Sequence, residues 1–373
     1  MRAHIAVLAG DGIGPEVIAA ACQVLDAVAS TFGHDVSYED ALIGGAAIDA
    51  TGTPLPAETI AICRAADATL LGAVGGPAWE SRADGVRPEQ GLLGIRQALG
   101  LYANIRPVTP HPRLAAASPL KAELLRGVDL MVVRELTGGI YFGAKSRKHS
   151  ELGVVARDVC TYSEAEVERV THIACTLARA RRGRITSVDK ANVLETSRLW
   201  RQVVTRVVRD EYADLALEHM LVDACAMHLI TRPSSFDVVL TENMFGDILT
   251  DEASVLAGSI GLLPSASLGG SVSDDRRRQA LYEPIHGSAP TIAGRGIANP
   301  IGAILSAAML LRWSLGLARE ADAVEAAVAR IIDRGVVTVD VASSPERAFD
   351  TTAVAEAVAA EVASSAVPAS TVA

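Results

Sequence analysis

Short apolar, β-branched runs alternate along this chain with longer stretches whose apolar positions recur every three or four residues. The first pattern predicts buried strands and the second predicts helices packed on them. His4–Ala9 reads as the first strand, and a glycine-rich turn leads from it into a helix with Pro15 near its first position. Further strands are predicted over 69–74, up to the close of Ala103–Pro107, and over 128–133, 184–188, 217–222 and 236–240. Ser163 followed by Glu166 has the capping-box spacing and starts a helix running to about Arg182. Asn299-Pro300 starts another, to about Ala318, and amphipathic helices are expected over 321–334 and 350–363. Residues 145–157 are polar and irregular, which fits a protruding arm, and the low-complexity end at 366–373 is expected to fray. The alternation predicts an α/β fold.

Length turns that into two lobes, because 373 residues exceed one ordinary core. Half the residues are apolar and only 4% are aromatic, so Ala, Val, Leu and Ile must build the interior. A net charge of −10 argues against nucleic acid or an anionic membrane as partner, and any positive charge for an anionic substrate must be local. The five cysteines form no C-x-x-C pair, which suits a reducing cytosol. The apolar start is too short for a signal peptide and the run 301–311 too short to span a bilayer, so a soluble, cytoplasmic protein is expected.

After the strand at 236–240, Asp247 and Asp251 stand four residues apart on a predicted helix, stacked on one face. Alpha/beta folds place ligands beyond the C-terminal ends of buried strands. A hard divalent cation takes one or two carboxylates plus substrate oxygens, so a Mg²⁺ or Mn²⁺ site is expected, a solvated acidic face being the plainer alternative. Asp223, after another strand, is a third candidate ligand. Arg96, Arg106 and Arg134 each fall near the edge of a regular element. Together they suit a clamp for a dicarboxylate, since the guanidinium fork matches carboxylate geometry; singly, each reads as a surface residue. Lys190 at a strand end suits a general base, or equally an ion pair with Asp189. Glycines at 10, 12 and 14 do not make the G-x-G-x-x-G fingerprint, and Asp11 among them would repel a pyrophosphate, so a Rossmann site is rejected. The small-residue loops after Tyr282 have free N–H groups able to wrap phosphate or ribose.

Five stretches then resemble a known family. Gly10-Asp-Gly-Ile-Gly-Pro-Glu-Val, Val-Arg134-Glu-Leu-Thr-Gly-Gly-Ile-Tyr-Phe-Gly, Asp-Lys190-Ala-Asn-Val, Phe-Gly-Asp247-Ile-Leu-x-Asp251 and Glu283-Pro-Ile-His-Gly-Ser-Ala-Pro are similar to motifs of the β-decarboxylating dehydrogenases, in family order. That family includes 3-isopropylmalate, isocitrate, homoisocitrate and tartrate enzymes. The resemblance implies a two-lobed fold of isopropylmalate dehydrogenase type with a central mixed or parallel sheet. It also implies a discontinuous nucleotide-binding lobe (1–101 and 258–365), and a dimerisation and metal/substrate lobe (102–257) with an arm near 145–161.

It implies roles as well. Arg96, Arg106 and Arg134 would hold the substrate carboxylates. Asp223, Asp247 and Asp251 would hold Mg²⁺ or Mn²⁺, with Asp223 also at the substrate. Lys190 would act as base and Tyr141 as acid. Lys190 and Asp223 would come from the second subunit of a homodimer with shared active sites. Ile13, Glu283, His286, Gly287, Ser288, Ala289, Pro290, Thr291, Ile292 and Asn299 would meet the coenzyme, NAD. Gly91-Leu-Leu-Gly-Ile-Arg96 is most similar to members acting on 3-isopropylmalate, with Leu92, Leu93 and Val193 walling an apolar pocket; tartrate, malate or homoisocitrate are the alternatives. A non-catalytic subunit is a further alternative, but it would be expected to lack catalytic or metal groups that are present here. One departure concerns the coenzyme. NAD-using members carry an aspartate where this chain has Thr291, and Arg276–Arg278 nearby could supply charge.

Overall fold

The structure, a computed structural model, describes residues 1–81, 85–270 and 279–365; the tail at 366–373 and Arg276–Arg278 lie outside the described residues. The chain divides into two compact units: Met1–Leu101 with His111–Pro119 and Ala257–Ala373, and Tyr102–Pro110 with Leu120–Leu256.

In the first unit β1 (Arg2–Gly10), β2 (Asp35–Asp40), β3 (Ala68–Ala73), β11 (Pro264–Gly269) and β12 (Ala280–Pro284) lie in the order β2-β1-β3-β12-β11. All pairs are parallel except β11 with β12. The helices are α1 (Gly14–Phe32), α2 (Gly44–Thr51), α3 (Ala57–Ala65), α4 (Glu89–Ala98), α10 (Ile301–Trp313), α11 (Ala318–Asp333) and α12 (Thr351–Ser364). By length and composition alone, α1 is apolar enough to cross a membrane. However, Val17, Ile18, Ala21, Val24, Leu25 and Val28 form one buried stripe, packed toward β3, α10 and α12. Each buried Val, Leu or Ile contributes about 1.5–3 kcal/mol, which makes α1 a core helix.

The turn between β1 and α1 is structural. Asp11 is buried, and its carboxylate accepts from the backbone N–H of Gly45, Ala46 and Gly75, each at 2.8 Å. Gly12 has a φ of +60°, and a Cβ there would lie 2.0 Å from Ser288 O. Only glycine lets this turn dock on the 285–292 loop, where Ile13 N donates to Ser288 O at 2.8 Å.

In the second unit β4 (Leu101–Val108), β5 (Leu130–Glu135), β8 (Arg184–Asp189), β9 (Ala216–Leu221) and β10 (Val238–Thr241) lie in the order β4-β5-β10-β8-β9, antiparallel at β4–β5 and parallel elsewhere. Its helices are α5 (Ala122–Leu125), α6 (Glu164–Arg179), α7 (Glu195–Glu211), α8 (Val222–Thr231) and α9 (Asn243–Ala257). The capping box at Ser163 and Glu166 is present with both hydrogen bonds. The segment read as irregular is instead a hairpin of β6 (Lys145–Ser150) on β7 (Gly153–Asp158), with every residue exposed. Neither face is buried, so the alternation that marks a strand was never written into it. The helix expected to reach Ala318 ends at Trp313, because Gly316 takes a φ of +68° and reverses the chain.

Candidate active site

Within the second unit the site grows from β4, β5 and α9. Asn104 of β4 lies directly opposite Arg134 of β5, and Arg106 is two residues further along the same face of β4. Both guanidiniums are buried, so each needs partners to offset a desolvation cost of several kcal/mol. Arg106 donates from Nε to Asn104 Oδ1 and from Nη1 to Thr250 Oγ1, both at 2.8 Å, and its Nη1 lies 3.8 Å from Asp251. Arg134 donates from Nε and Nη2 to Asn243 Oδ1 at 3.0 and 2.8 Å, and from Nη1 to Asp247 Oδ1. It can do so because Gly246 faces it: a Cβ there would lie 2.7 Å from Arg134 Cγ.

Asp247 and Asp251 are successive turns of α9, as the spacing requires. The Tyr141 phenol donates to Asp247 Oδ2 at 2.8 Å. Burial, and then this bond to a carboxylate, push the phenol up to about 12, so it keeps its proton across the neutral range. Burial works against the Asp247 charge, but Arg134, Tyr141 and Arg106 outweigh it and hold the carboxyl below its ordinary range. Asp251 is shifted the other way, upward, by burial and by the Asp247 charge, against the pull of Arg106 and Arg134. The two acids thus differ, and a hard cation between them would relieve the repulsion that raises Asp251. The oxygen-only donor set fits Mg²⁺ or Mn²⁺.

Lys190, just after β8, pairs through Nζ with Asp223 in the first turn of α8, and this bond holds the Asp223 carboxyl below its ordinary range. Asp189 is not its partner: that carboxylate takes both Nε and Nη2 of Arg201 at 2.8 Å. Val193 is 61% exposed at the end of the Lys190 turn. Among the described residues Asp223 does not join Asp247 and Asp251 in one cluster of ligand atoms; the only such group is Glu168, His172 and Glu211.

In the first unit, α4 carries Leu92, Leu93 and Arg96. Leu92 packs on a core that includes Ile43, Ile95 and Leu281, and Leu93 is half-buried. Arg96 is buried and donates from Nη2 to Glu283 Oε1 of β12 at 2.7 Å, while its buried Nε has no partner among the described residues. Beyond β12, His286, Ser288 and Asn299 are buried, whereas Gly287, Pro290 and Thr291 are exposed. Ala289, at φ 39°, is the one positive-φ residue other than glycine among those described. Burial pushes the His286 imidazole down and keeps it neutral; Nδ1 lies 2.9 Å from Gly287 O, and the buried Nε2 has no partner among the described residues. An orphaned ring nitrogen beside exposed small residues fits a nucleotide, whose polar atoms would satisfy it.

A family model described as isocitrate/isopropylmalate dehydrogenase matches residues 4–358. The chain belongs to this family. A 3-isopropylmalate dehydrogenase of Anaeromyxobacter dehalogenans is 58% identical over 341 residues, spanning 91% of this chain and 95% of that one. One from Geobacillus kaustophilus is 56% identical, over 95% and 94% of the two chains. Among solved structures, isocitrate dehydrogenase from Methylococcus capsulatus superposes with a TM-score of 0.83 at 34% identity, covering 96% of this chain and 99% of that one. A β-decarboxylating dehydrogenase from Thermococcus kodakarensis gives 0.77 at 37% identity, covering 96% of each. The chain is therefore an oxidoreductase of the isocitrate/isopropylmalate dehydrogenase family with that family's α/β fold.

Reading the sequence missed Asn104, Asn243, Gly246 and Thr250. Asn104 was findable, since two residues from Arg106 on a strand means the same face. Asn243 and Thr250 were not, because their bonds to arginines span more than a hundred residues.

Proposed function

We propose that this chain catalyses the oxidative decarboxylation of 3-isopropylmalate to 4-methyl-2-oxopentanoate and CO₂ with reduction of NAD, in leucine biosynthesis, as a cytoplasmic homodimer. The observation that carries the reading is the convergence on Asp247 of a buried guanidinium, Arg134, and a protonated phenol, Tyr141, one turn from Asp251. Mg²⁺ or Mn²⁺, held by Asp247, Asp251 and Asp223, would supply positive charge to the 2-hydroxyl and its neighbouring carboxylate. NAD, held by Ile13, Glu283, the 286–292 loop and Asn299, would take the hydride from C2.

The chain's own groups do the rest. Arg96, Arg106 and Arg134 bind the two carboxylates of the malate unit. Lys190 takes the 2-hydroxyl proton as the C2 hydride departs, leaving a 2-ketone with a carboxylate β to it. Carbon dioxide leaves with the C–C bond electrons moving toward the ketone. Tyr141 gives its proton to C3, which completes the product. Leu92, Leu93 and Val193 accept the isopropyl group and leave a third carboxylate unpaired, which disfavours isocitrate.

The dimer is supported by what one chain leaves exposed. Asp223, Met227 and Ile230 lie at i, i+4 and i+7 of α8, and Met227 and Ile230 are exposed, as are Ile248 and Val255 of α9 and Val193. A second copy covering these residues would bring its own Lys190 and Asp223 to Asp247 and Asp251. NAD remains the preferred coenzyme in this reading, though Thr291 offers a ribose a neutral hydroxyl instead of a carboxylate.

A substrate panel tests the reading. The highest kcat/KM is expected for 3-isopropylmalate; a higher value for malate, tartrate, isocitrate or homoisocitrate would replace it.

A further inference from the structure

A cavity in the first unit is used by none of the chemistry above. Its volume is about 520 Å³, within the range that takes small organic ligands. The walls come from the short 3-10 helix Pro112–Ala117, from the end of α11 and from the segment after it. Gly335, at a φ of +77°, reverses the chain beyond α11. Phe349 N then donates to Val337 O at 2.9 Å, which closes the intervening residues into a loop. Part of the lining is apolar, because Leu114, Ile332, Val337 and Val341 are buried side chains.

The charged part of the lining is three arginines and one acid. Arg113 and Arg347 are exposed, and neither guanidinium has a hydrogen bond or ion pair among the described residues. Arg334 shares the Glu361 carboxylate with Arg330, two cations on one anion. The acid, Asp340, is engaged elsewhere. Its Oδ1 accepts from Thr338 Oγ1 at 2.5 Å, and its Oδ2 accepts from Asn299 Nδ2 at 3.0 Å and from Ser259 Oγ. The neighbouring acids Asp333 and Glu346 are outside the lining, the first of them 3.8 Å from His111 Nε2. A chain of net charge −10 thus gathers positive charge in a concave place, where a field of one sign is focused.

We propose that this cavity is a second ligand site, separate from the coenzyme loop, for a small organic dianion. Its doubly charged head, a phosphate or a pair of carboxylates, meets Arg113 and Arg347, and its short apolar body lies on the buried side chains. The guanidinium fork fits either head, since both present paired oxygens. None of the residues read as meeting the coenzyme lines the cavity; Asn299 reaches it only through its bond to Asp340.

The test is calorimetric titration of the full-length protein with phenyl phosphate and with phenylmalonate, phenol being the neutral control. The buffer is free of phosphate and contains chelator, so that no cation assists binding at Asp247 and Asp251, and each titration is run with and without saturating NAD. At least one of the two anions should bind saturably, phenol should not, and the Kd should rise with salt. Which anion binds identifies the head. Arg113→Gln and Arg347→Gln should each raise that Kd roughly tenfold, about the worth of one hydrogen bond to a charged group. Tm and KM for 3-isopropylmalate should hold in both variants, and Arg113→Lys and Arg347→Lys, which keep the charge, should lose less affinity. No saturable binding of either anion at millimolar concentration overturns the proposal, as does wild-type affinity in both Gln variants. Binding that vanishes when NAD saturates the protein overturns it too, by placing the cavity within the coenzyme site.

Discussion

Tyr141 and Asp247 stand 106 residues apart in sequence, yet the phenol donates to the carboxylate at 2.8 Å, on the opposite oxygen from Arg134. The carboxylate is kept charged by the guanidinium, and the phenol is kept protonated by burial and then by its bond to the carboxylate. A base-like anion and a proton donor therefore coexist at neutral pH, which a decarboxylation followed by protonation of carbon requires.

Substituting Asp247→Asn should preserve the fold, because the amide oxygen still accepts from Arg134 while the amide N–H can donate to the rotatable Tyr141 hydroxyl, and should lower kcat/KM by orders of magnitude through loss of charge at the cation site. Circular dichroism and Tm alongside turnover will check this. Near-wild-type turnover in the folded variant would remove Asp247 from the site.

The side chain of Leu92 is shared between a core cluster and the proposed isopropyl pocket. Leu92→Ala should therefore lower Tm and also narrow the preference for 3-isopropylmalate over malate by roughly 10- to 200-fold, the worth of a lost apolar contact. A Tm loss with an unchanged kcat/KM ratio would confine Leu92 to the core.

Thr291 is exposed on the loop after His286, where a side chain can reach solvent-borne ligands. A carboxylate there would accept from a ribose hydroxyl, worth about 1.5–3 kcal/mol, and repel a 2′-phosphate. Thr291→Asp should lower KM for NAD by roughly 10- to 150-fold and suppress turnover with NADP. If both coenzymes respond equally or not at all, residue 291 does not face the ribose.

Burial pushes every thiol upward: Cys63 to about 11, Cys22, Cys175 and Cys225 to about 12, and Cys160 also above its ordinary value. Only the thiolate attacks a disulfide reagent, so at pH 8 Cys175 and Cys225 in the native protein should each react about a thousand-fold more slowly than in the unfolded chain. The rate should climb as pH rises. Rapid labelling of Cys63 or Cys175 in the native state would contradict their burial.

Much of this was legible in the sequence where local pattern and global packing agree. The strand before Asp247, the four-residue carboxylate spacing and the Ser163 capping box all depend on neighbours within a turn or two. The β6–β7 hairpin was not legible, because its pattern has no buried face to encode. Nor was the Asn243 anchor of Arg134, a contact made by topology between the β5 and β10 strand ends. Lys190 was readable as a base or as the ion-pair partner of Asp189; its pairing with Asp223, on another element, was not, because only the fold gives Asp189 to Arg201.

The central claim is a metal-dependent oxidation coupled to loss of CO₂. Its most direct test measures reduced coenzyme and released CO₂ together, with purified protein, 3-isopropylmalate, NAD and Mg²⁺, before and after chelation. One CO₂ per NAD reduced is expected, with both abolished by chelator and both restored by Mg²⁺ or Mn²⁺. Coenzyme reduction without CO₂, or undiminished release of both in metal-free buffer, would contradict it.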